Sequence, residues 1–171
     1  MNLRSILSLF AIATLGFALL PGSAMSKQKS LKAQLVGTWA FASSVDKNKD
    51  GIKSDRWGPN AKGSLMLNAN GRYSFIISRA GIPKFAATSV SQGTAAENKA
   101  VVQGMIAHLG TWSVDEASKT LTTNIEAGSF PNLNGNSQKR VISSLTAGEL
   151  HYTNPATTTG NVSEVVWKRV K

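Results

Sequence analysis

One tripeptide occurs twice in this chain, as Gly37-Thr38-Trp39 and Gly110-Thr111-Trp112, each time at the head of a run with strand character. The glycine lets the backbone bend tightly into a strand. The tryptophan two residues on lays a large apolar ring across whatever the strand encloses. Small up-and-down β-barrels close one end in this way. The echo suggests two similar halves without establishing a duplication.

The patterning around these sites reads almost entirely as short strands. Runs at 35–45, 63–68, 72–79, 111–115, 121–127, 139–145, 149–153 and 162–170 are separated by turn-rich stretches at 115–119, 131–136 and 154–161. Asn70-Gly71 between two of them is the strongest short hairpin signal. After that turn Tyr73, Phe75 and Ile77 fall on one face of a strand, and Arg72, Ser74, Ile76 and Ser78 on the other. Two stretches break the pattern. Residues 46–62 form a loop, and 81–93, rich in Ala, Ser and Thr, reads as a long mobile loop and a candidate lid. One helix is announced by the capping box Thr94-Ala95-Ala96-Glu97. Its apolar stripe is Val101, Val102, Met105, Ile106 and Leu109, and Gly110 is its expected end. Short strands with turns at regular intervals indicate an antiparallel barrel or sandwich.

Composition narrows the setting. Arg4, the apolar run 6–20 and the small residues Pro21-Gly22-Ser23-Ala24 read as a secretory signal cleaved after Ala24. The expected organisation is therefore a signal peptide at 1–24, a mobile basic lead-in at 25–34 and one barrel domain at 35–171. The protein is expected in the periplasm or outside the cell. Cysteine is absent from the sequence, so neither a lipidated N-terminus nor a disulfide framework is available. The formal charge is +10. Its lysines and arginines are scattered singly, which argues against nucleic acid and for a solvated surface with at most weak contact to an anionic envelope.

Several landmarks occur together in order: Leu35-Val36-Gly37-Thr38-Trp39, Gly58-Pro59-Asn60-Ala61-Lys62-Gly63, Asn70-Gly71-Arg72 and Ile82-Pro83-Lys84-Phe85-Ala86. Then come Leu109-Gly110-Thr111-Trp112-Ser113-Val114-Asp115, Phe130-Pro131-Asn132 with Gly135, Gln138 and Arg140, and Val166-Trp167-Lys168-Arg169-Val170. In this the chain resembles the bacterial stand-alone lipocalin-like domain family. The resemblance implies an all-β fold, an antiparallel up-and-down lipocalin-like barrel of about eight strands with one short helix and an apolar interior. Family members commonly carry a histidine pair in the strand before the Pro-Asn motif. This chain has Thr123-Asn124 there, so an acid–base or metal role built on that pair is not carried over.

The candidate chemistry is sparse. Asp46-Lys47-Asn48-Lys49-Asp50-Gly51 matches half of a calcium loop, but Trp57 stands where the bidentate glutamate belongs and two lysines oppose a cation. A polar turn is the better reading. His108 and His151 are the only histidines, far apart and without cysteine, so no metal or other cofactor is expected. Gly-x-Ser-x-Gly is absent and carboxylates number nine, which leaves little for catalysis. Arg140 is the notable charge. It shares a strand face with Ile142, and it either anchors a ligand carboxylate or stacks on Trp39 or Trp112 to close the barrel floor. The expected cavity lining is Tyr73, Phe75, Trp112, Phe130, Arg140, Tyr152 and Trp167, with Trp39 and Arg140 as closure. These residues favour a monomeric carrier of a small apolar or amphipathic ligand, acids included. A barrel isomerase or cyclase, with His108 or His151 inward beside a carboxylate, and a filled barrel acting as an envelope interaction module are the alternatives.

Overall fold

Most strands of this chain pair with the next in sequence, and the last one returns to the first. A computed structural model describes residues 29–171; the expected signal peptide lies outside them. The strands are β1 (Gly37–Lys47), β2 (Lys53–Ser54), β3 (Lys62–Leu67), β4 (Arg72–Ser78), β5 (Met105–Asp115), β6 (Thr120–Gly128), β7 (Ser137–Leu145), β8 (Glu149–Asn154) and β9 (Val162–Arg169). Every pairing is antiparallel. β1 and β3 to β9 form an eight-stranded barrel closed by β1 against β9, and β2 is a short extra strand on β1. Closure leaves no long unpaired edge.

The turns follow from local chemistry. At the β3–β4 hairpin Gly71 adopts φ +84°, the left-handed region that favours glycine. Asn70 Oδ1 accepts from the Arg72 N–H at 3.0 Å, and the Gly71 carbonyl accepts from the Trp112 N–H at 2.8 Å. Alternation then sends Leu65, Leu67, Tyr73, Phe75, Ile77, Trp112, Leu121, Ile125, Ile142, Leu150, Tyr152, Val165 and Trp167 inward.

Two expectations are corrected here. Helix α2 (Ala95–Gly104) starts at the expected capping box, with Thr94 and Glu97 satisfying each other's backbone N–H groups, but it stops at Gly104. Met105 to Gly110 belong to β5 and pair residue for residue with β4. The apolar stripe is not a buried helix face: Val102 is 64% exposed and Leu109 44%. A ladder to both neighbours, burying His108 and Trp112, outweighs the helical spacing of a few apolar side chains. Gly104 also packs so close to Ile82 that a Cβ would lie 2.7 Å from its side chain.

The second correction concerns the lead-in. Residues Leu31–Leu35 form a short helix, α1, capped by Ser30. The Leu31 and Lys32 N–H groups donate to Glu116 at 2.9 and 3.0 Å, and Leu35 is fully buried. These contacts fix α1 across one end of the barrel, next to Trp39 and Trp112.

Candidate functional site

The barrel has an apolar closed end and a polar open one. At the closed end Trp39 donates its indole N–H to the Leu35 carbonyl at 2.9 Å, and Trp112 donates to the Asn68 carbonyl at 2.9 Å. Arg169 lies 3.9 Å over the Trp39 ring. Its guanidinium donates to the carbonyls of Ala147, Val36 and Gln34, which locks α1, β1 and the β7–β8 turn together. The closing arginine is thus Arg169, not Arg140. The two sit on different strands, and Arg169 shares the inward face of Trp167 at the end where Trp39 lies.

Arg140 lies deeper, 3% exposed. Its Nη1 donates to Thr123 Oγ1 at 2.6 Å and its Nη2 to Gln138 Oε1 at 2.8 Å. The guanidinium carbon is 5.6 Å from the Phe75 ring centre and 5.7 Å from that of Tyr152. Among the described residues the ion pairs are Arg72–Glu126 and His151–Glu149, so the buried Arg140 has no carboxylate at ion-pair distance. Among the described residues its Nε–H and the second hydrogen on each terminal nitrogen have no acceptor.

Arg140 opens onto a half-open cavity of about 60 Å³, the liquid-volume share of about two waters at ~30 Å³ each. Phe75, His108, Gln138, Tyr152, Asp46 and Ser163 line it, and Ile77, Ile106, Leu133, Trp57 and Val165 form its apolar rim. His108 stacks flat on Phe75, its cross-strand partner, with ring centres 4.5 Å apart. The Tyr73 hydroxyl lies 2.9 Å from His108 Nδ1. Burial, and next the Arg140 charge, push the His108 imidazole down to about 3, so it is neutral near pH 7. Burial raises the Tyr73 hydroxyl, which keeps its proton. Arg140 can only donate, so Thr123 Oγ1 accepts from it, and the Thr123 hydroxyl in turn donates to the Gln138 carbonyl at 3.5 Å. The Tyr73 hydroxyl and His108 Nδ1 share the remaining hydrogen bond.

Of the expected lining, Phe75, Arg140 and Tyr152 face the cavity. Tyr73, Trp112 and Trp167 are packed into the core beneath it instead. They fill the closed end because three large rings on neighbouring inward positions leave no space between them; Trp167 meets Phe41 and Phe75 edge-on at 5.6 Å. Phe130 is 38% exposed and lies outside the barrel wall, in a groove of about 210 Å³ with Val102, Met105 and Ile106. Groove and cavity meet at Arg56, whose guanidinium lies 4.7 Å over Trp57 and donates to Thr158 Oγ1 at 3.1 Å. The half-calcium loop resolves into a turn in which Asn48 Oδ1 accepts from the Asp50 and Ile52 N–H groups. His151 lies beside Glu149 at 3.2 Å, both substantially exposed. No three His, Cys, Asp or Glu side chains converge among the described residues.

Arg56 and Arg169 are the site residues that sequence reasoning missed; Asp46 and Trp57 entered it only through the calcium-loop pattern, and His108 only as an enzyme candidate. Alternation from Trp167 points to Arg169, and alternation back from Trp112 points to His108. Trp57 and Arg56 lie in a loop with no period to read.

The family model described as a lipocalin-like domain matches residues 36–170. The chain belongs to the lipocalin-like domain family. Among curated proteins none matches it significantly. The solved structures similar to this lipocalin-like chain include a redesigned beta barrel, 14% identical over 84% of this chain and 100% of the other, with a TM-score of 0.43. Two more are structures of bovine odorant binding protein. The complex with a selenium-containing odorant is 15% identical over 84% of this chain and 74% of the other, with a TM-score of 0.39. The complex with its natural ligand is 16% identical over 84% and 76%, with a TM-score of 0.39.

Proposed function

We propose that this lipocalin-like protein is exported and, as a monomer, carries a small amphipathic acid whose carboxylate enters the barrel and binds Arg140. One observation carries this reading: a guanidinium 3% exposed, with unused donors and no carboxylate at ion-pair distance among the described residues, lines a half-open cavity in the barrel. Buried charges in proteins are paired or serve a ligand. Arginine matches a carboxylate with paired hydrogen bonds, and the polar side chains of His108 and Tyr152 line the same space. The cavity is too small for a whole apolar molecule, since drug-sized pockets run to roughly 300–1,000 Å³. It holds a head group. The apolar remainder passes Arg56 into the groove beside Met105, Ile106 and Phe130, where burial contributes ~25 cal/mol per Å².

The isomerase reading is less well supported. His108 does point inward, but beside Tyr73 and not a carboxylate, and at about 3 it takes up no proton near neutrality. Calorimetric titration of the purified protein with octanoate and with 1-octanol tests the proposal. Octanoate is expected to bind at least tenfold tighter. Equal affinities would falsify the role of Arg140 as the anchor.

A further inference from the structure

The cavity holds a second buried charge. Asp46, on β1, is also 3% exposed and lines the same space. It too is outside the ion pairs of the described residues. Strand register places it relative to Arg140: Asp46 is opposite Ser163 on β9, and Ser163 is opposite Asn154 on β8. Val141 is opposite Thr153, so Arg140 on β7 stands one position on, beside Asn154. Asp46, Ser163, Asn154 and Arg140 therefore form one inward row across four strands, with a negative end, a positive end and two neutral polar residues between. Three strand spacings of ~4.8 Å separate their backbone positions along the wall; the two side chains reach inward from either end of the row and stop short of ion-pair distance of each other. Arg56 is near enough for Asp46 to act on its guanidinium, but that group is held over Trp57 and donates to Thr158 instead.

A simple carboxylate entering this row is attracted by Arg140 and repelled by Asp46. A head group carrying both signs satisfies both ends at once. A cavity of about 60 Å³, the liquid share of about two waters, takes a head group as compact as a carboxylate and an ammonium on one carbon. We propose, on the reading of a carboxylate at Arg140 given above, that the ligand head is zwitterionic, an α-amino acid head group with its carboxylate on Arg140 and its ammonium on Asp46. The ammonium's remaining hydrogens meet Ser163 and Asn154.

The test is a matched pair, 2-aminooctanoate and octanoate, titrated calorimetrically into the purified protein and into the variant Asp46→Asn. In the parent protein 2-aminooctanoate is expected to bind about tenfold tighter or more, the worth of one charge-assisted hydrogen bond. In Asp46→Asn the ratio of the two affinities should fall toward one. If octanoate binds as well as the amino acid, or better, the zwitterionic head is wrong while the carboxylate site stands. If neither binds, both readings fail. Should Asp46→Asn not fold, the ratio in the parent protein decides alone.

Discussion

A guanidinium enclosed without a counter-ion costs the fold several kcal/mol, and Arg140 bears that cost with only Thr123 and Gln138 to accept from it. An apolar side chain of similar length at that position removes the desolvation cost along with the charge. Arg140→Met is therefore expected to melt no lower than the parent while losing octanoate binding, measured by calorimetry and titration on one sample. A large drop in melting temperature would make Arg140 structural. His108 gives a second prediction, and the sign is fixed by its depressed value. Unfolded, the imidazole protonates below ~6.5; folded, it stays neutral down to about 3. Stability is therefore fully present above pH ~6.5 and falls as the pH drops, by up to ~1.4 kcal/mol per unit. The carboxylates whose folded values are lowered, Glu97, Asp115 and Glu126, add their own loss only below ~4.5. Urea unfolding between pH 6.5 and 4.5 should show the slope, and His108→Gln should flatten it.

The β5–β6 pair illustrates what an element demands of single positions. A register shift between Leu109 and Gly110 brings the backbones together there, and a Cβ on Gly110 would lie 2.0 Å from the Asn124 carbonyl oxygen. Because that neighbour is backbone, it has little room to move. Gly110→Ala is expected to cost about 1–3 kcal/mol or more, read from denaturant midpoints; an unchanged midpoint would mean the ladder shifts freely. The same element marks the limit of what the sequence discloses. The strands flanked by turn chemistry, such as β3 and β4 around Asn70-Gly71, were legible because period-two alternation and the turn agree. The first half of β5 was not, because Val101, Met105, Ile106 and Leu109 satisfy a helical spacing locally, and only pairing with β4 and β6 decides against it. The site shows the same division. Phe75, Arg140 and Tyr152 share a legible inward face. Whether Trp112 and Trp167 leave space or fill it depends on volumes summed across strands, which no single strand reports.

For the whole molecule, closure of β1 on β9 makes the interior reachable only past the loops at the open end. There residues 102 positions apart, Arg56 and Thr158, are joined by a hydrogen bond exactly where cavity and groove meet. On the proposed reading that bond lies across the route of the head group and takes no part in its bound position at Arg140, so affinity and exchange are set by different residues. Thr158→Val is expected to speed both association and release of octanoate several-fold in stopped-flow experiments and to leave their ratio nearly unchanged. A shift in the ratio alone would place Thr158 in the binding site. A carrier built in this way can keep its cargo tightly yet have its dwell time tuned at one exposed hydroxyl, so how fast it delivers can change without altering what it recognises.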